Sequence, residues 1–308
     1  MTENITTSLE KIARTNRLIF RALASGVAFK VVIAACAIGI FFANTISFEK
    51  LTEHVAVVEI KGEIRDGALT SYEAIAPLLS EAFENEHAKK IIIKLSSPGG
   101  SPDQSLMIYD KINQLKAATG KPVDAVVTEL CASGCYFIAS AADNIYSQKT
   151  SIIGSIGVIT KGFDFTDAMS QWGVKSRTIT AGENKAFMDP FQKMTDAQVD
   201  FWQDQLQETH KVFIDAVKLG RGEKLAQDAD KQGAFTGLVY AAPNAKKLGL
   251  IDGYATIDQL AEAQNLQVAH YNLGMFSQKN FAASAQTFLA NTAAMAMNHA
   301  VSLSIKAE

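Results

Sequence analysis

Residues 90–100 read KIIIKLSSPGG: an apolar, isoleucine-rich run, Lys90–Leu95, is broken by Ser96-Ser97-Pro98-Gly99-Gly100. A helix is predicted from about Pro102 to Ala118, with proline in its first turn and Asp103 near its positive end. A short buried strand, a glycine turn and a helix make the repeating unit of an α/β fold. Upstream of this unit, Val55–Ile60 (VAVVEI) reads as an earlier strand. Tyr72–Glu84 reads as a helix with Ile75, Leu78, Leu79 and Phe83 on one face. Pro122–Thr128 gives the next strand and Ala132–Ala142 a short helix. Asn144–Ser147, Gly157–Thr160 and Val174–Thr180 read as further strands around a helical Asp164–Gln171. Strands that follow one another through helices predict a parallel sheet with right-handed crossovers. Beyond Pro190 the pattern turns helical: Asp196–Leu219 is long and amphipathic, and Arg221–Lys231 reads as a charged surface stretch. Phe235-Thr236-Gly237, Ala241–Leu248 and Gly249–Gly253 read as a turn, a short helix and a return to the sheet. No repeat of 20–50 residues is visible, which excludes a solenoid.

The chain has 308 residues, 48% hydrophobic and 20% charged, enough for one large or two modest globular units. That balance excludes extended disorder and collagen-like or coiled-coil repetition. Lys plus Arg number 29 against 32 Asp plus Glu, so the net charge of −3 offers no general field for nucleic acid. The charge is uneven, however. The first thirty residues carry Lys11, Arg14, Arg17, Arg21 and Lys30 against Glu3 and Glu10. They run into Val31–Phe48 (VVIAACAIGIFFANTISF), which has no formal charge. As a helix this stretch is about 27 Å long, the thickness of a bilayer's hydrocarbon core. One transmembrane anchor is expected here. The positive excess before it places the N-terminus in the cytoplasm and the rest in the periplasm or outside the cell. A cleaved signal peptide fits less well, because the leading region is long and no small-x-small site follows. Ile33-Ala34-Ala35-Cys36 looks like a lipoprotein box, but Lys30 leaves only five apolar residues before the cysteine.

Three cysteines, one of them in the anchor, build no disulfide framework. Cys131 and Cys135 stand at helical spacing and are expected as free thiols, since a bridge would constrain a segment with catalytic character. His54, His87, His210, His270 and His299 are scattered without metal-ligand spacing, so no metal or organic cofactor is expected. Asn280–Ile305 carries no Asp, Glu, Lys or Arg. It reads as a helix packed on its own domain, a subunit contact or a membrane-surface helix.

The chemistry centres on Cys131-Ala132-Ser133-Gly134-Cys135. A serine between small residues, after a strand and opening a helix, has an exposed hydroxyl and unpaired amides beside it. The bland reading is a helix N-cap; the functional one is a nucleophile, with the Gly134 amide as an oxyanion donor. Such a serine needs a base, and a lysine serves if burial lowers its pKa from about 10.4 toward 7–8. Gly182–Pro190 (GENKAFMDP) offers Lys185 beside Ala, Phe and Met, unless it is merely a solvated loop residue. Ser155 in Gly154-Ser155-Ile156-Gly157-Val158 could hold the amine, or simply sit in a turn. Gly100, after Ser97-Pro98-Gly99, could supply a second oxyanion N–H, or only turn the chain.

Together, Ser-Pro-Gly-Gly at 97–100, Ala-Ser-Gly at 132–134, Gly-Ser-Ile-Gly-Val at 154–158 and Lys185 before Met188-Asp189-Pro190 resemble the signature blocks of the signal peptide peptidase A family. The shorter, SohB-like inner-membrane members are the most similar. The 52-residue separation of Ser133 and Lys185 fits them, and Phe235-Thr236-Gly237 with Leu248–Asp252 resembles the closing block. The resemblance covers residues 55–255, taken as the peptidase domain, with 256–308 left as a helical extension. It implies a Clp-protease/crotonase-like fold and a cofactor-free Ser/Lys dyad. In that dyad Ser133 would be the nucleophile, Lys185 the general base and Ser155 its positioner, with oxyanion donors at Gly134 and Gly100. It also implies cleavage of apolar peptides such as spent signal peptides, and a homo-oligomeric ring. Cys135 departs from the family's usual second glycine after the serine. Two other classes remain: a crotonase-like acyl-CoA enzyme, which a thioester assay would reveal, and a non-catalytic membrane scaffold, which a serine-directed probe would leave unlabelled.

Overall fold

The computed structural model describes residues 48–272, together with Arg14. The expected anchor, apart from Phe48, and the 280–305 stretch lie outside the described residues. Among the described residues no helix is long and apolar enough to cross a membrane. Phe48–Leu51 forms one 3₁₀ turn of a unit ending at Thr52; a second unit begins at Glu53 and holds everything below.

Eight strands form one sheet: β1 (His54–Lys61), β2 (Ala88–Ser97), β3 (Val123–Ala132), β4 (Asn144–Ser147), β5 (Ile152–Gly154), β6 (Val239–Ala241), β7 (Gly253–Tyr254) and β8 (Gln267–Tyr271). The order is β6-β5-β3-β2-β1-β8, with β4 beside β3 and β7 beside β4. Every pairing is parallel except β5 with β6, so the expected parallel sheet is mixed at one edge. β3 carries β4 along Asp124–Val127 and β5 along Leu130–Ala132, so its C-terminal end reaches deeper than its neighbour's.

Alternation along the strands decides the two faces. Ala56, Val58 and Ile60 of β1, Ile91, Ile93 and Leu95 of β2, and Val123, Ala125 and Val127 of β3 point to the larger core. There they meet α1 (Tyr72–Glu84), α2 (Pro102–Thr119) and α3 (Gly134–Ala139). Val55, Val57, Ile92 and Val126 point to the smaller core, closed by Ile257, Leu260 and Ala261. The helices start where the sequence says they should. Ser71 and Ser101 cap α1 and α2 by accepting from Ala74 N and Gln104 N at 3.3 Å each, Pro102 opens α2, and Gly120 ends it at φ +66°.

Three expectations are corrected. Gly157–Thr160 and Val174–Thr180 are not strands. The ladder position beside β3 is taken by Ile152–Gly154, and among the described residues no strand lies alongside 174–180. Residues 155–195 instead make an exposed excursion carrying only the short α4 (Thr166–Gln171). The chain returns through α5 (Asp196–Arg221), α6 (Ala242–Lys247) and α7 (Ile257–Glu262). Arg221, expected at the surface, is only 2% exposed, because it pairs with Asp252. The 256–308 region begins with α7 and then β8, which joins the sheet beside β1.

Candidate active site

Ser133 lies between the last residue of β3 and the first of α3, at φ +53° and ψ −127°. A left-handed φ is costly for a residue with a Cβ, and the fold enforces it here. The Ser133 N–H donates to Gly154 O at 2.8 Å, while its carbonyl accepts from Tyr136 N at 2.8 Å and Phe137 N at 3.1 Å. With both ends held, the elbow cannot relax. The hydroxyl makes no capping bond, so the bland N-cap reading fails.

Two backbone donors converge beside it. Neither the Gly134 nor the Gly100 N–H donates to a backbone or side-chain acceptor among the described residues. A methyl built on Gly134 would lie 3.5 Å from Gly100 N, and one built on Gly99 would lie 2.7 Å from Ser133 Cβ. Only glycine allows this approach. Ser133, Gly134 and Gly100 all border one cavity of about 370 Å³, whose walls include Leu106, Phe137 and Phe213. A hydroxyl beside two unspent N–H groups can attack a carbonyl and hold the oxyanion that forms.

Ser155, the second non-glycine residue at φ +53°, borders an adjoining cleft with Ser133 and Gly100. Of the five expected site residues, Ser133, Gly134, Gly100 and Ser155 are therefore brought together. Lys185 is not. It sits in the turn after Gly182, solvent-exposed, and borders neither cavity. The expected burial of its amine is not seen in the single chain: Lys185 is exposed, although Phe187 two residues on packs against Phe201 and Trp202. Lys161, unremarked in the sequence, and His210, read there only as one of five scattered histidines, border the Ser155 cleft instead. The His210 Nε2 lies 3.0 Å from Ile156 O. A signal for His210 existed: with Leu206, Phe213 and Val217 it lies on one helical stripe of α5.

Cys131 and Cys135 are joined in a disulfide, contrary to the free thiols expected. The elbow brings their Cα atoms to 5.1 Å, within bridging range, and both residues are fully buried. Behind the elbow, Tyr136 Oη donates to Leu250 O at 2.7 Å, and burial pushes its phenol up. Next to it, Arg221 donates through Nε to Gly249 O and through Nη1 to Asp252 Oδ2, both at 2.8 Å. The same Oδ2 accepts from Ile145 N at 2.7 Å, and Lys224 lies 3.2 Å from Oδ1. Burial pushes the Asp252 carboxyl up, but the Arg221 and Ile145 hydrogen bonds and the two nearby cations outweigh it. The net shift is downward. The Leu248–Asp252 block is thus the brace of the helix that opens at Ser133.

The sequence profile of peptidase family S49 matches residues 115–270, half of the chain. The chain belongs to peptidase family S49. The Clp protease profile also matches residues 48–153, in keeping with the Clp-like α/β architecture. Among curated relatives, the putative protease MJ0651 of Methanocaldococcus jannaschii is 31% identical over 203 residues, 64% of each chain. The probable protease SohB of Haemophilus influenzae is 30% identical over 207 residues, 67% of this chain and 56% of that one. A Brucella melitensis protein named Na(+)/H(+) antiporter NhaA is 38% identical over 211 residues, 67% of this chain but 28% of its own. The chain thus spans less than two thirds of each of these relatives. Family S49 members of the signal peptide peptidase A and SohB type are serine peptidases, and the candidate site is organised around a serine.

Proposed function

We propose that this protein is a membrane-anchored serine endopeptidase acting on apolar peptide segments, with Ser133 as nucleophile and Lys185 as general base. The observation that carries the reading is the Ser133 elbow: an uncapped hydroxyl at φ +53° beside two unspent N–H groups, on the wall of a largely apolar cavity. As Ser133 Oγ bonds to the scissile carbonyl carbon, neutral Lys185 takes its proton. The Gly134 and Gly100 N–H groups receive the oxyanion. The lysine then returns the proton to the leaving amine as the C–N bond breaks. A water molecule, deprotonated by the same amine, attacks the ester, releases the acid and restores Ser133.

Lys185 needs cover to act as a neutral base. The excursion that bears it also exposes Phe163 (79%), Trp172 (85%) and Ile179 (90%), more apolar surface than a monomer normally leaves to water. We assign that surface to contact with neighbouring copies in a homo-oligomer, where packing buries Lys185 and Ser155 holds its amine. Residues 31–48 supply the anchor, with the N-terminus cytoplasmic and the peptidase body across the inner membrane.

A serine-directed fluorophosphonate probe, followed by peptide mapping, tests the reading. Labelling is expected at Ser133 and nowhere in Ser133→Ala. Cleavage of an apolar peptide is expected to vanish in Ser133→Ala and in Lys185→Ala, and full activity in either variant refutes the dyad. Mixing the two inactive variants asks whether Lys185 serves a neighbour's Ser133: recovered turnover means that it does.

A further inference from the structure

The cavity bordered by Ser133, Gly134 and Gly100 has a wall that is mainly apolar with two acidic residues in it. Phe137 and Phe213 are buried in its wall, with Leu106 half-buried beside them. Its two charged wall residues are Asp103 and Glu208, both exposed, and it has no cationic one. The two arrive independently, Asp103 from the first turn of α2 and Glu208 from α5. Among the described residues neither side chain is in a hydrogen bond or an ion pair. Lys161 and His210 border the adjoining Ser155 cleft and not this one.

We infer that this cavity selects a lysine or arginine side chain on the substrate residue whose carbonyl is attacked; the inference rests on the peptidase reading above. The cavity touches both oxyanion donors, so its occupant belongs to the residue at the scissile carbonyl. A lysine or arginine has matching chemistry: an apolar stem against Phe137, Phe213 and Leu106, and a cation for the two exposed carboxylates of the wall. Leucine suits the apolar wall but leaves both carboxylates unpaired. Glutamate is repelled by both. Since the carboxylates are exposed, their pull is screened by salt. The substrates this implies are apolar segments interrupted by single basic residues.

The test uses the full chain in detergent with four matched fluorogenic peptides carrying Lys, Arg, Leu or Glu before the scissile bond. Ser133→Ala serves as the blank. At low ionic strength kcat/KM for Lys and Arg is expected to exceed that for Leu about tenfold, with Glu lowest, and the preference is expected to shrink in high salt. Asp103→Asn with Glu208→Gln, both isosteric and at exposed positions, is expected to bring the Lys:Leu ratio close to one. Cleavage with Leu equal to or above Lys, or an unchanged ratio in the double variant, overturns the basic subsite and leaves the peptidase reading standing. No cleavage of any peptide together with no probe labelling at Ser133 overturns both.

Discussion

Replacing Asp252 by alanine should cost about 3–5 kcal/mol of folding stability, although the residue lies outside both cavities. The carboxylate is bonded to Arg221 Nη1 at 2.8 Å and to Ile145 N at 2.7 Å, and Arg221 has no exposed side-chain surface. The Arg221 Nη2 already lacks a partner. Removing Asp252 therefore strands a buried guanidinium with one bond left, to Gly249 O, and orphans a buried β4 amide. Breaking a buried pair this way costs about 3–5 kcal/mol. Lys224, 41% exposed, adds little. Against a total of about 5–15 kcal/mol, that is a large share. Urea unfolding of wild type and variant, compared at constant slope, reads the loss. The pH dependence carries a signature. The folded Asp252 carboxyl is held below its ordinary value, so its contribution is complete above about pH 4. That contribution fades as pH falls through the depressed folded value, so the gap between wild type and Asp252→Ala must narrow in acid. Arg221→Met added to Asp252→Ala should recover part of the loss by removing the stranded charge. A loss under about 1 kcal/mol, or a double variant no better than the single one, refutes the brace.

Gly134→Ala should lower kcat about 10²–10³-fold, because the new methyl overlaps the buried Ser105 Oγ, which must rotate away from its bond to Ser101 O, and sits 3.5 Å from Gly100 N beside the oxyanion donors; peptide turnover with circular dichroism separates the loss of the oxyanion site from any loss of fold. Cys131→Ala with Cys135→Ala should cost about 2 kcal/mol or less, since the bridge closes only a four-residue separation. In the native wild type an alkylating reagent should modify neither cysteine, as mass spectrometry can check. Asp124→Ala should cost about 3 kcal/mol, since Asp124 is buried and pairs with Lys90 and Asn144. Glu63→Ala, which loses only an exposed contact to Arg65 at 3.9 Å, should change unfolding by under about 0.5 kcal/mol.

The inner strands were legible because their chemistry is local: β-branched runs at 55–60 and 90–95 can bury both faces, and Ser71, Ser101, Pro102 and Gly120 mark helix ends. The Ser133 elbow was legible for the same reason, as small residues between a strand and a helix. What depended on distant partners was not. Residues 174–180 have strand-like composition, but a strand exists only where another lies beside it. Arg221 looks like surface charge until Asp252, 31 residues on, meets it. Cys131 and Cys135 show their spacing but not the left-handed backbone between them that closes the bridge. His210 could have been read off the apolar stripe of its helix; Lys161 had no such signal.

The two halves of the proposed dyad are held by opposite means, and this has a functional consequence. Ser133, Gly134 and Gly100 sit on the ends of buried parallel strands, fixed by backbone bonds to Gly154 and Ile64 and braced from behind through Tyr136, Leu250 and Asp252. Lys185 rides on a largely exposed excursion whose aromatic contacts, Phe163 with Phe165, Phe165 with Phe191, and Phe187 with Phe201 and Trp202, leave the lysine itself in solvent. A preorganised oxyanion site costs nothing to leave idle, since an unactivated serine hydroxyl is a poor nucleophile. Under the proposed function the base would be completed only when the excursion is packed against neighbours, so hydrolysis would depend on protein concentration in the membrane as well as on substrate. Specific activity per chain should therefore fall steeply on dilution in detergent, and fluorophosphonate labelling of Ser133 should fall with it, since both need the activated serine. A specific activity that stays constant on dilution down to the monomer would place the complete dyad within one chain and remove the need for assembly.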